Sequence, residues 1–499
     1  MELQKEWTRR LERWMQALVK DVYHPIGNVE FEGFSTFDRL SYDEAMKGDF
    51  KPMKQGDRWG RMWEYMWLRG KITLPESAEG KRIVMRLNPG GESSIYVNGN
   101  EFGTRRNDWV RDPIHLISDE TLTECGKAGD TYELVLEAYA GHDDTGCDYG
   151  PVLPGTYNPR GEDEIRTSLG ESTFGVWNEL AYQLYMDVKV LWEAWHQLTP
   201  QGLRCQDVWQ GLKDFTTIVD FEQPEDVRNA SYAAARERLK PLFECHNGST
   251  APQFYAFGHA HIDIAWLWPI AETERKVLRT FAAQIRHMDA YPEYKFLQSQ
   301  PHLYRMCKQM YPKLYEKIKQ KVKEGQWIPE GATWVECDTN ITGGEAMIRQ
   351  FLHGKRFFKE EFGIDSKMFW LPDTFGYTAA LPQIMKGCGV DYFSTQKLWW
   401  NYNGGQTFPY NYFNWVGLDG TSVETFIHDD YNSDIHAGTV ISKWKNRKQV
   451  QNIRGFLAPY GYGDGGGGPA RDFMEYIRRE NDFEGCPKVK NAHPLDFFH

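Results

Sequence analysis

The spacing of apolar residues changes near residue 250, and that change constrains the fold more than any other feature of the chain. From Arg58 to Ala140 the apolar runs are short, alternate with polar residues and stop at turn residues, as in RMWEYMWLRGKITLP, KRIVMRLNP, SSIYVNGNEFG and TYELVLEAYAG. Period-2 alternation buries one face of each strand, so this block predicts an antiparallel β-sandwich. Asn98-Gly99 marks a two-residue hairpin inside it. From Gln253 onward, short apolar runs (QFYAFGH, KFLQS, QWIPEG, MFWLPD, YFSTQ, VETFIH and GFLAPY) alternate with helical stretches. Strand–loop–helix alternation predicts an α/β domain with a largely parallel sheet or barrel, here seven-stranded and barrel-like. In such folds ligands gather at the carboxyl ends of strands, and polar clusters follow these runs directly.

A chain of 499 residues is too long for one core. We expect a helical segment at 1–45, the sandwich at 46–170, a helical bridge at 171–250 and the α/β domain at 251–499. The N-terminal stretch is amphipathic, with Trp7, Leu11, Met15 and Leu18 on one face. It is charged from Glu2 onward and does not read as a signal peptide. ELAYQLYMDVKVLWEAWHQL and PEDVRNASYAAARERLKPLFE read as two helices, the second opened by Pro224. The Gly-, Pro- and Asp-rich stretch 143–170 reads as a linker or lid. A net charge of -12 argues against nucleic-acid and membrane partners. Eight scattered cysteines without a C-x-x-C fit reduced thiols and a cytoplasmic location.

Three clusters carry chemistry. In His259-Ala-His261-Ile-Asp263, alternate residues of an extended segment share a face, so two imidazoles and a carboxylate can converge. Such donors suit Zn²⁺ or a similar divalent ion. The plainer reading is a hydrogen-bonded polar strand end. Ile264 stands where metallo-β-lactamases need a His, whereas amidohydrolases, which open with H-x-H at a strand end, remain a rival. In Pro372-Asp373-Thr374-Phe375-Gly376 a lone carboxylate is fixed between a Pro and a Gly turn. The third cluster is Gly461-Tyr462-Gly463-Asp464 followed by Gly465 to Gly468. Four glycines cost chain entropy and make sense where backbone approaches a ligand closely. No G-K-[ST] follows, so the loop is not a phosphate cradle.

GHAHIDIAWLW, GATWVECD, GGEAMIRQFLHGKRFF, FWLPDTFGYTAALPQIM, STQKLWWN and GYGDGGGGP occur in this order. With them, the span from Gln253 to the end resembles the catalytic domain of glycoside hydrolase family 38 α-mannosidases, most closely the cytosolic/vacuolar branch. The resemblance implies metal-dependent, retaining hydrolysis of terminal α-linked mannose from oligosaccharides. It makes His261 and Asp263 metal ligands and sets His259 behind them. It makes Asp373 both nucleophile and ligand, and Asp464 the general acid/base. Trp266 becomes the platform under the sugar, Lys397 a neighbour of the nucleophile, and Tyr431 a contact to sugar hydroxyls, with Asp429 and Asp430 as alternatives. Glu336 and Asp338 read equally well as site walls or as solvent-facing strand-end carboxylates. Zn²⁺ is the leading cofactor and Co²⁺ the alternative. The family's second ligating His follows the Gly-rich loop; the resemblance sets it beyond Phe498, and His428, His436 and His493 are the candidates within the chain. The family's C-terminal β domains are absent, so the expectation is a chain that is not competent alone and a full-length enzyme that can form homo-oligomers. The rival functions are an amidohydrolase- or deacetylase-type metal hydrolase acting on a carbohydrate, and a non-catalytic sugar-binding protein.

Overall fold

The computed structural model describes residues 2–105, 120–141, 164–400 and 407–499. They form two compact units: residues 23–177 with 262–286, and residues 1–22 with 178–261 and 287–499.

The first unit is an antiparallel β-sandwich, as the alternation predicts. Its strands are β1 (Tyr23–Asn28), β2 (Phe31–Thr36), β3 (Lys51–Met53), β4 (Arg58–Trp59), β5 (Tyr65–Thr73), β6 (Ile83–Arg86), β7 (Glu92–Val97), β8 (Asn100–Arg105), β9 (Thr121–Thr123), β10 (Thr131–Tyr139), β11 (Thr167–Ser168) and β12 (Thr173–Trp177). One sheet runs β1-β12-β6-β9, the other β3-β2-β5-β10-β7-β8, and β4 pairs with β11. Side chains at every second position face one side of a strand. Leu134, Leu136 and Ala138 of β10 therefore join Met66, Leu68 and Ile72 of β5 in the core, with Phe31, Met85, Ile95 and Phe174. Asn98 and Gly99 take φ of 50° and 72°, the left-handed pair that a type I′ hairpin needs. The opposite face of the larger sheet carries Tyr65, Glu92, Glu137 and Tyr139, and the helix Ile270–Ala290 covers it. The expected linker or lid at 143–170 lies outside the described residues as far as 163.

In the second unit, the helices Glu2–Lys20, Glu179–Gln197, Leu203–Ile218 and Glu225–Phe243 pack together. Leu11 and Leu18 are buried, and Trp14 Nε1 donates to the Val219 carbonyl at 3.1 Å. The helix Leu203–Ile218 was not expected. Its buried positions Cys205, Val208, Leu212 and Phe215 keep helical spacing, but one is a Cys and polar residues surround the others.

The remainder of this unit holds β13 (Gln253–His259), β14 (Phe296–Gln298), β15 (Trp327–Pro329), β16 (Met368–Trp370), β17 (Tyr392–Thr395), β18 (Tyr412–Val416), β19 (Ser422–Ile427), β20 (Gly455–Tyr460) and β21 (Lys488–Asn491). The seven apolar runs read from the sequence are β13 to β17, β19 and β20; β18 and β21 are additional. Among the described residues the expected seven-stranded, barrel-like sheet does not close into a barrel. One sheet runs β15-β14-β13-β20, with β21 also on β13, and the other runs β16-β17-β19-β18. At the seam between β15 and β16 a side chain replaces a strand partner. Glu330, fully buried, accepts from the amides of Gly331 at 3.3 Å and of Lys367 and Met368 at 3.0 Å. At the other seam Phe426 of β19 meets Phe456 of β20 edge to face, 5.1 Å between centroids.

Candidate metal centre and active site

The polar clusters lie where the parallel strands end. Beyond β13, His261 is buried, and its Nδ1 lies 2.7 Å from Glu336 Oε2. Ser299 donates to the other Glu336 oxygen at 2.8 Å. A neutral imidazole that donates Nδ1–H to a carboxylate turns the Nε2 lone pair the other way. Here Nε2 points to Asp373, whose Oδ2 is 3.6 Å away. His261, Asp263 and Asp373 each offer a ligand atom, all within 4.8 Å of one another, and among the described residues no other such group of His, Cys, Asp or Glu occurs. One nitrogen and two carboxylates, with the imidazole oriented by a third carboxylate, are a donor set that fits a divalent ion such as zinc.

Asp373 follows β16. Its Oδ1 accepts from Tyr431 Oη at 2.8 Å and from Lys397 Nζ at 2.6 Å. Its side chain keeps 23% exposure. Lys397, at the end of β17, is buried with its ammonium 3.5 Å from the centroid of the Trp400 ring. Tyr431 is buried beyond β19, its ring edge-on to His261 at 5.4 Å.

Beneath these groups the floor is buried. Trp370 Nε1 donates to His259 Nε2 at 2.9 Å and its ring stacks on His428 at 4.5 Å. His428 Nδ1 is 3.0 Å from Ser394 Oγ. Burial holds both imidazoles well below their ordinary pKa, so both are neutral.

The Gly-rich loop after β20 is not a flexible linker. Gly465 to Gly468 are buried and take φ of 75°, 90°, 91° and 76°, a region side chains disfavour. The Gly466 amide donates to the His261 carbonyl at 2.8 Å. A Cβ on Gly463 would fall 2.3 Å from the Tyr431 carbonyl oxygen. Asp464 stands at the head of this run, half-buried, with its amide bonded to Asn432 Oδ1 at 2.7 Å. It is not in the His/Asp/Asp group. Trp266 is 56% exposed, with its ring edge-on to Trp268 at 5.7 Å.

The two readings of Glu336 and Asp338 separate: Glu336 orients His261, whereas Asp338 is exposed and caps the amides of Asn340 and Ile341. Asp430 likewise caps Asn432, and burial raises the Asp429 carboxyl. None of the three candidate histidines joins the His/Asp/Asp group. His428 lies under Trp370, His436 stacks on Tyr476 at 4.1 Å, and His493 Nδ1 accepts from the Leu495 amide. Sequence reasoning missed Asn432. Its neighbourhood in HDDYNSD was the available signal, but its partner lies 32 residues away.

The model of the glycosyl hydrolases family 38 N-terminal domain matches residues 251–499, and that of the alpha-mannosidase jelly roll domain matches residues 26–157. The chain is 36% identical to alpha-mannosidase G of Dictyostelium discoideum over 465 residues, which cover 92% of this chain and 41% of that protein. It is 32% identical to alpha-mannosidase 2C1 of Mus musculus over 518 residues, 99% of this chain and 47% of the relative. It is also 32% identical to an alpha-mannosidase of Saccharomyces cerevisiae over 479 residues, 92% of this chain and 43% of the relative. The chain thus spans about half the length of the curated relatives it matches.

Proposed function

We propose that this chain, which belongs to glycoside hydrolase family 38, carries the metal ligands, the nucleophile and the general acid of a retaining α-mannosidase acting on terminal α-linked mannose of oligosaccharides. The observation that carries the reading is the two-sided environment of Asp373. Tyr431 and Lys397 hold Oδ1, and Oδ2 faces His261.

Retention needs one carboxylate to attack the anomeric carbon and another to protonate the leaving oxygen. Asp373 attacks the anomeric carbon with its carboxylate, which Tyr431 and Lys397 hold in place. Asp464, outside the metal group, gives its proton to the departing glycosidic oxygen. It then takes a proton from the water that releases mannose from Asp373. Asn432 and the glycine run fix the backbone that presents Asp464. Trp266 supplies an exposed aromatic face for the pyranose. When bound by His261, Asp263 and Asp373, a divalent ion supplies positive charge beside the nucleophile and coordination positions for the axial O2 and equatorial O3 of mannose. Zinc suits this donor set best, with cobalt as the alternative. The catalytic residues belong to 251–499; the segments 1–45, 46–170 and 171–250 support them. We assign a cytoplasmic location. No helix among the described residues is long and apolar enough to cross a membrane.

The test is hydrolysis of an aryl α-mannoside with and without chelator. Chelator-sensitive release of mannose with retained configuration supports the proposal. Chelator-resistant binding without turnover favours a sugar-binding protein. Release of acetate from an N-acetylated sugar supplied in parallel, with the aryl α-mannoside left intact, favours an amidohydrolase- or deacetylase-type enzyme.

A further inference from the structure

One hydroxyl makes three hydrogen bonds to the segment that presents Asp263 and Trp266. Thr273, fully buried in the first turn of the helix Ile270–Ala290, donates Oγ–H to the Asp263 carbonyl at 3.1 Å. The same oxygen accepts from the Ala265 amide at 3.1 Å and from Trp268 Nε1 at 3.0 Å. Within this segment Ala265 takes φ of 69°. A residue with a side chain disfavours that conformation, so surrounding contacts must enforce it.

The helix that carries Thr273 is itself fixed to the sandwich sheet by buried charges. Arg275 meets Glu137 at 2.5 Å, both 4% exposed. Arg279 bonds Glu272 at 2.5 Å and grips Glu92 with Nε at 3.0 Å and Nη2 at 2.9 Å. Tyr65 Oη donates to the second Glu272 oxygen at 2.8 Å, and Lys276 reaches Glu92 at 2.9 Å. Glu272, the residue before Thr273, thus has both oxygens engaged. Removing one partner of such a buried pair leaves an uncompensated charge, which makes the helix a stiff support.

We propose that Thr273 is the positioning residue for Asp263 and Trp266, and that the buried charges on β5, β7 and β10 anchor it. The jelly roll is then a support for the helix that positions Asp263. This rests on reading His261, Asp263 and Asp373 as the metal ligands.

Thr273→Val keeps the shape of the side chain and removes the hydroxyl; Thr273→Ser keeps the hydroxyl. Zinc affinity, read by competition with a chromophoric chelator, is compared with the melting temperature of each metal-free protein. Thr273→Val is expected to weaken zinc binding tenfold or more, in the range seen for groups that orient metal ligands, while Thr273→Ser stays within about twofold of the parent. Trp268→Phe, which removes one of the three hydrogen bonds, is expected to fall between them and covers the case in which Thr273→Val fails to fold. Unchanged zinc affinity in Thr273→Val or Trp268→Phe overturns the proposal, as does an equal loss in Thr273→Ser. His261→Ala and Asp263→Asn are run beside them. If neither weakens zinc binding, it is the metal-site reading that fails.

Discussion

At the scale of single residues, the account turns on what each carboxylate touches. Asp373→Asn should abolish turnover of every substrate, because the attacking oxygen is then part of an amide. Asp464→Asn should spare the first step for activated aryl mannosides, whose leaving group needs no proton, and depress hydrolysis of oligosaccharides strongly. Comparing the two variants on activated and unactivated substrates checks this; equal losses would argue against Asp464 as the acid. Glu336→Gln should weaken zinc binding roughly 10- to 100-fold, because a neutral amide orients His261 less firmly. His428→Ala should leave zinc affinity unchanged, since His428 packs under Trp370. Calorimetric titration separates the two. The meeting of His261, Asp263 and Asp373 was legible through the family resemblance, since spacing alone grouped His259, His261 and Asp263. The pairing of Glu336 with His261 and the role of Thr273 were not. The first joins residues 75 apart, and the second depends on a turn that composition does not encode.

Elements carry their own predictions. The Gly466 amide reaches the His261 carbonyl only in a conformation with φ of 90°. Gly466→Ala should therefore destabilise the protein by about 1 kcal/mol or more, measured by denaturant unfolding. A second prediction concerns the helix Glu179–Gln197, where burial pushes the Glu193 carboxyl from 4.5 up to about 7. Lys189 opposes that shift and Asp434 adds to it, and His436 and Tyr476 also face the group. The folded state holds this proton more tightly than the unfolded chain, so its contribution to stability is complete below about pH 4.5 and is lost as the pH rises through about 7. Melting temperature should fall across that window and fall less in Glu193→Gln. Strand periodicity gave away the sandwich, its Asn98-Gly99 hairpin and seven strands of the catalytic part. It could not show that the barrel stays open. That depends on Glu330 taking amides that a neighbouring strand would otherwise receive. The helix Leu203–Ile218 escaped because its buried stripe is narrow.

At the scale of the whole molecule, the two halves of the sequence have different tasks. We propose that residues 251–499 supply the reacting groups; buried charges of the sandwich hold the helix Ile270–Ala290. Zinc should stabilise the folded protein by mass action, by about 2.7 kcal/mol at a free concentration one hundred times Kd. A rise in melting temperature with zinc that Asp373→Asn lacks would register it. The central claim is that Asp373 forms a covalent bond to mannose, and the most direct measurement is to trap that bond. An activated fluoro-mannoside loads the nucleophile faster than water clears it, and peptide mapping by mass spectrometry locates the sugar. The account predicts the added mass on the peptide containing Asp373, and none after chelation or in Asp373→Asn. A sugar on any other carboxylate, or chelator-resistant hydrolysis with no labelled peptide, would contradict it.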